Sequence, residues 1–212
     1  MQVAGVTLKQ FLDNDITLLG EFMSSINGDR LKNAVVFFAK HTEACGKIKL
    51  FKLLYLLDFE HFKQTGKSVT GLNYEAWKFG PVPTELNNIW NELKRGKSPE
   101  IEIVSEPQFD HVRESVKVRP GIDFDDENFT PRQTKILAML SEKYLSNMSQ
   151  SMVNVTHEPN GPWDRIWNAG QGDHMPIPYE LAIPEDAPNR ALILESALEA
   201  RRISSPMADG GY

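Results

Sequence analysis

The chain has 212 residues, of which 41% are hydrophobic and 25% charged, close to globular averages, so it can bury enough apolar surface to exclude wholesale disorder. Its net charge of −6 argues against a protein whose main task is wrapping nucleic acid, because that affinity comes from basic residues neutralising phosphates. Apolar runs such as residues 53–57 fall far short of the roughly 20 residues that span a bilayer, and the single cysteine, Cys45, excludes an intramolecular disulfide or a multi-cysteine zinc site.

Residues 1–28 hold two short apolar patches without a sustained period and read as a loosely packed leader. From Arg30, the apolar positions Leu31, Ala34, Val35, Phe38 and Ala39 recur at helical spacing, which predicts a helix ending near residues 43–46. Residues 47–65 place Leu50, Leu53, Leu54 and Leu57 on one face with Phe51, Tyr55, Phe59 and Phe62 beside them, and Lys49, Lys52, Glu60 and Lys63 opposite. So wide an apolar surface belongs to a central core helix, with the lysines on its solvent side and Gly66 as its stop.

Residues 71–83, with two glycines and two prolines, favour an extended stretch closed by a turn. Pro83 can open a helix over 84–94. Residues 101–104 and 115–118 read as a small hairpin. Thr130, Pro131 and Gln133 occupy the positions of a capping box, which predicts a helix over 131–145 with Ile136, Leu137, Leu140 and Tyr144 on its apolar face. Ser149 can cap a short helix through about residue 156, after which Pro159, Gly161 and Pro162 break the chain. Four prolines keep residues 176–188 irregular, residues 191–203 read as a last helix, and 204–212 as a frayed end. The expected fold is mainly α, a single compact helical domain over 29–188 with a small antiparallel β element, preceded by the 1–28 leader and followed by a helix and tail over 189–212.

Residues 30–67 carry eight Lys or Arg against three Asp or Glu, a local +5 in an acidic chain. This excess is read as a solvated stripe on two helices or as a patch that steers an acidic partner. Familiar catalytic patterns fail. Gly66-Lys67-Ser68 lacks the upstream glycine of a phosphate-binding loop, where His61 stands instead. His157-Glu158 has Gly161 where a zinc-peptidase helix needs its second histidine. The five histidines show no i, i+3 or i, i+4 pair, and Cys45 between Ala44 and Gly46 reads as a helix end rather than a nucleophile. No cofactor, no metal ligand and no catalytic residue is expected, and the chain is expected to be a cytoplasmic protein without a signal peptide.

The run Lys49-Leu50-Phe51-Lys52-Leu53-Leu54-Tyr55-Leu56-Leu57-Asp58, then Gly66, Tyr74-Glu75-Ala76-Trp77 and Gly80-Pro81-Val82, resembles the Panacea domain, also described as SocA-like or phage-associated. Thr156-His157-Glu158 with Pro162-Trp163 looks like the C-terminal signature of the same family, so the resemblance covers about residues 30–183. It implies an antitoxin that neutralises a cognate protein toxin by contact; one branch instead resembles an adaptor that delivers its toxin to a cytoplasmic AAA+ protease. No catalytic role carries over. Tyr74, Trp77, Gly80, Pro81, His157, Glu158 and Trp163 either fix the fold, with His157 buried and hydrogen-bonded and Trp77 and Trp163 in the core, or line the surface that grips the toxin, together with Lys49, Lys52 and Lys63 of the basic stripe. An enzyme using His157 and Glu158 and a DNA-binding autorepressor are the competing classes, the latter short of an exposed basic recognition helix.

Overall fold

The computed structural model describes residues 26–107 and 112–204. The readings of the 1–25 leader segment and of the tail beyond 204 lie outside the described residues. The fold is mainly α, with eight α-helices among the described residues and two small antiparallel sheets. Helix α1 (Ile26–His41) is followed by α2 (Lys47–Thr65), around which the rest is built. Leu50, Leu53, Leu54 and Leu57 of α2 are fully buried, and Phe51, Tyr55, Phe59 and Phe62 nearly so. Each such side chain contributes about 1.5–3 kcal/mol on leaving water. Gly66 ends the helix in the left-handed region (φ 74), its N–H donating to the Phe62 carbonyl at 2.8 Å. A β-carbon at Gly66 would also collide with the Ile193 carbonyl of the last helix, so both conformation and space demand glycine.

The expected solvent face of α2 is only half there. Lys63 is exposed, but Lys49 and Lys52 are 0% and 2% exposed, which overturns their placement on an open basic stripe. Each Nζ finds backbone carbonyl acceptors within the fold. Lys49 Nζ donates to Glu43 O at 2.7 Å and Leu145 O at 2.9 Å, and Lys52 Nζ to Pro81 O at 2.8 Å. A long amphipathic side chain spends its methylenes on the core and needs only an acceptor at its tip.

After α2, strand β1 (Tyr74–Trp77) pairs antiparallel with β2 (Gly80–Pro83) around the two-residue turn Lys78-Phe79. β2 is an edge strand, the place in a sheet that tolerates Pro81 and Pro83. The predicted helix over 84–94 is split at Ile89 into α3 (Thr84–Asn88) and α4 (Trp90–Lys94). At the break, Ile89 and Trp90 are both buried, with Trp90 packed edge-on to Phe51 at 5.4 Å. Strands β3 (Ile101–Pro107) and β4 (Val112–Val118) form the second sheet and run further than their apolar residues suggest, because the polar end is held by Arg113 Nη2 donating to Glu106 Oε2 at 2.8 Å.

Helix α5 (Pro131–Lys143) begins with the expected reciprocal capping box between Thr130 and Gln133. Helix α6 (Ser149–Thr156) is capped one residue earlier than expected, at Met148, so that Met152 and Val153 fall on the core side. Pro162 does not merely break the chain: it opens a six-residue helix, α7 (Pro162–Trp167), at the first helical position, where its missing N–H costs nothing. The stretch read as irregular also carries β5 (Met175–Pro176), which adds to β1 on the side away from β2, and a 3-10 turn at Tyr179–Ala182. Helix α8 (Arg190–Ser204) closes the described chain against the end of α2, in a small cluster of Phe62, Ile183, Ile193 and Ala197.

One buried carboxylate ties these pieces together. Asp58, fully buried on α2, accepts from the Val69 amide at 2.7 Å, the Thr70 amide at 2.8 Å, the Thr70 hydroxyl, and the Tyr74 hydroxyl at 2.8 Å, with the Tyr179 hydroxyl at 3.5 Å. Burial pushes its pKa up, and these donors oppose that shift by stabilising the ionised form. Replacing Asp58 by Ala strands several buried donors at once and is expected to cost about 3–5 kcal/mol in urea denaturation. Asp58→Asn should cost less, because an amide oxygen can still accept from the two backbone N–H groups, and Tyr74→Phe should cost about 1–2 kcal/mol.

Candidate functional site

Six of the candidate residues, from segments far apart in sequence, meet on one side of α2. Lys52 points from α2 toward β2 and holds Pro81 O. Gly80, with φ 96, lets this happen: a β-carbon there would sit 2.8 Å from both Lys52 Nζ and Thr156 Oγ1, so only a bare backbone lets α2, β2 and α6 approach. Trp163 of α7, 3% exposed, donates from its indole Nε1 to Trp77 O at 3.0 Å and so pins α7 to β1. The His157 ring lies flat on Trp163, centroids 3.6 Å apart and planes 8° apart. Lys52, Trp77, Gly80, Pro81, His157 and Trp163 thus form one assembly.

The other candidates are elsewhere. Lys49 sits under the connection between α5 and α6, and Lys63 lies near the C-terminal end of α2. Tyr74 belongs to the Asp58 network. Glu158 is exposed beyond the end of α6. Two expectations about the assembly itself need correction. His157 is half-buried, and its enclosed Nε2 atom has no hydrogen-bond partner among the described residues; stacking on Trp163, rather than hydrogen bonding at that atom, accounts for its placement. Trp77 is not core filling: it is half-buried, its Nε1 donating to Glu75 Oε2 at 3.0 Å and its ring resting on His174 at 4.3 Å.

Next to this assembly, and sharing Lys52 and Trp77 with it, a cleft of about 350 Å³ opens between the start of α2, the β1–β2 turn and the segment before β5. Its walls are apolar, with Ile48, Phe51, Trp77, Phe79 and Val82, and Lys47, Lys52 and Lys78 contribute its cationic groups against Asp173. The sequence reading did not find this cleft. The one signal was Phe79, a bulky aromatic at a two-residue turn where small or polar residues are usual. Among the described residues no group of three or more His, Cys, Asp or Glu side chains could hold a metal ion, and no helix is long and apolar enough to cross a membrane.

Burial lowers the pKa of Lys52 to about 7, and burial together with the nearby Lys52 charge lowers that of His157. Burial raises the Cys45 thiol to about 11. These shifts arise from desolvation of the charged forms.

Comparison with known proteins gives one match. The sequence model of the family described as "Antitoxin SocA-like, Panacea domain" matches residues 50–164, more than half of the chain and within the span of the resemblance. The matched segment runs from α2 into α7 and contains the whole six-residue assembly. No curated protein and no solved structure matches the chain significantly.

The state of Lys52 is open to measurement. Unfolding returns the amine to water, where it keeps its proton up to about pH 10.5, whereas the folded chain releases it near pH 7. Between these values the unfolded state binds the extra proton, so this group makes stability rise with pH. Urea midpoints of the native chain should therefore climb from pH 6.5 to 8.5 relative to Lys52→Met, a variant without the titrating group. Parallel profiles would show that Lys52 stays charged throughout.

Proposed function

The chain belongs to the SocA-like Panacea-domain family of antitoxins, and from this membership we propose that it neutralises a cognate protein toxin by direct contact, in the cytoplasm, and not by catalysis. The observation that carries the reading is the family match from α2 to α7. Three features of the chain support contact over turnover. The histidine of the signature is packed flat on Trp163, and its carboxylate neighbour Glu158 is exposed to solvent. The lone thiol, Cys45, is buried, and burial raises its pKa to about 11, the opposite of what a reactive thiolate needs. The cleft is apolar with a few placed polar groups, the composition of a surface that receives a partner side chain.

A protein partner is also favoured over nucleic acid. Lys49 and Lys52, which gave the sequence much of its local positive excess, are buried on α2, and α2 is too enclosed to serve as a recognition helix. Delivery of the toxin to an AAA+ protease is the alternative mechanism, and it separates from direct contact in the same experiment.

Coexpression with each neighbouring open reading frame should identify a toxin whose growth arrest this chain relieves, with a stable stoichiometric complex on gel filtration and full rescue in protease-deficient cells. His157→Gln combined with Glu158→Gln should keep rescue, since proton transfer plays no part in contact. Trp163→Ala should lose it through unfolding, at about 3–5 kcal/mol, visible in thermal melts. Rescue by substoichiometric protein with no complex, or its loss in a folded His157/Glu158 variant that still binds the toxin, would refute the contact mechanism. Rescue that needs the protease would favour the adaptor.

A further inference from the structure

The cleft beside the β1–β2 turn has an unusual charge arrangement for so acidic a chain. Three amines line it, and among the described residues none of them has an ion-pair partner. Lys47 Nζ lies 5.4 Å from the Phe51 ring centre and 5.3 Å from that of Trp90, and the nearby Glu114 is engaged by Lys94 Nζ at 2.5 Å and Trp90 Nε1 at 2.8 Å. Lys78 Nζ lies 5.6 Å from the Phe79 ring centre. Lys52 has a single acceptor, the Pro81 carbonyl, for three N–H bonds. Asp173 is the one carboxylate of the lining, and His174 is turned to Glu75 at 3.5 Å.

The apolar part is equally without cover. Phe79 is 62% exposed at the tip of the turn and Ile48 is 41% exposed on the first turn of α2. Met175, 54% exposed, pairs in the sheet with Ala76 beside Trp77. An apolar wall with amines at its edge and in its depth fits an apolar anchor flanked by carboxylates: the ring or aliphatic chain enters the cleft, and the acids meet Lys47 and Lys78.

We propose that this cleft is the docking site for an acidic segment of the toxin that carries an aromatic or large aliphatic anchor, with Phe79 and Ile48 gripping the anchor and Lys47 and Lys78 receiving its carboxylates. This rests on the antitoxin reading for the identity of the partner, but not for the chemistry of the ligand. The cleft's size suits one or two side chains, so the wider interface surrounds it and the cleft supplies the anchor pocket.

The probe is a capped hexapeptide, Glu-Asp-Phe-Leu-Glu-Asp, titrated into the full 15N-labelled chain beside its neutral isostere Gln-Asn-Phe-Leu-Gln-Asn and the basic Lys-Lys-Phe-Leu-Lys-Lys. The acidic peptide should give saturable shifts centred on the amides of Ile48, Lys78, Phe79 and His174. The neutral peptide should bind about tenfold more weakly and the basic one not at all. Lys47→Glu with Lys78→Glu, and separately Phe79→Ser, should each weaken the acidic peptide by about tenfold, with thermal melts run alongside to show that the fold is kept. Equal binding of acidic and basic peptides, or shifts scattered away from the cleft, would overturn the proposal. So would a dimer in sedimentation that the charge-reversed chain abolishes, because the cleft would then receive a second copy. The same variants are carried into the rescue assay with the toxin found by coexpression. Lost rescue with an intact fold supports the cleft as the toxin's seat. Full rescue overturns it and leaves neutralisation by contact standing elsewhere on the surface. Peptide binding without any neutralised toxin would instead sink the antitoxin reading and leave the ligand class of the cleft intact.

Discussion

A carboxylate placed in a dry core must collect donors, and the way Asp58 does so sets the geometry of the molecule. Its donors come from the segment after Gly66, from β1 and from the 3-10 turn before α8. Each donor fixes a different piece of chain against the same stretch of α2. The Tyr179 hydroxyl, 3.5 Å from Asp58, gives its one proton chiefly to Leu72 O at 2.5 Å, so the turn before α8 is bound to the strand approach beside the carboxylate. Few other arrangements of these segments would leave the carboxylate solvated by protein, which is why a single charged residue can specify so much. With β1 held, β2 follows through its ladder, and Pro81 O arrives over Lys52 without any further adjustment.

This division of labour explains what the sequence disclosed. Periodicity located α2 between Lys47 and Thr65, and local chemistry located its glycine stop and the Thr130–Gln133 box, because those signals act within a few residues. The burial of Lys49 and Lys52 was illegible for the opposite reason. Their acceptors include carbonyls 96 and 29 residues away, and no local pattern announces an oxygen that only the folded chain brings near. A lysine opposite a leucine stripe reads as solvated until tertiary structure roofs it. Pro162 was misread because proline both breaks and begins helices, and only its position relative to the following residues distinguishes the two.

The candidate site was legible in part. Lys52 was named from the local charge excess and the other five from a resemblance, and the six do assemble, but their roles differ from a uniform core or a uniform surface. Gly80 and Pro81 supply backbone proximity, Trp163 supplies an indole anchor, and His157 supplies a flat ring for it to stack on. Trp77 is the hinge between interior and cleft, giving its carbonyl to Trp163 on one side and its ring to His174 on the other. The exposed Lys78-Phe79 turn carries no such obligation to the core, so its chemistry can follow the needs of recognition rather than folding.

Helix α8 stands apart from this economy. It rests on the end of α2 through Phe62, Ile193 and Ala197, a cluster separate from the main core, with Ser196 Oγ donating to Thr65 O at 3.0 Å, Arg190 Nη1 donating to Ile183 O at 2.6 Å and Arg201 paired with Glu180. The main leucine layer and the Val69, Thr70 and Tyr74 donors of Asp58 lie outside that cluster, and Tyr179, stacked on Phe62 at 5.2 Å, is a residue through which the two meet. The helix therefore has the makings of its own cooperative unit, able to lift away at a fraction of the global unfolding free energy. Such an element would exchange its amide hydrogens well before the interior of α2 does.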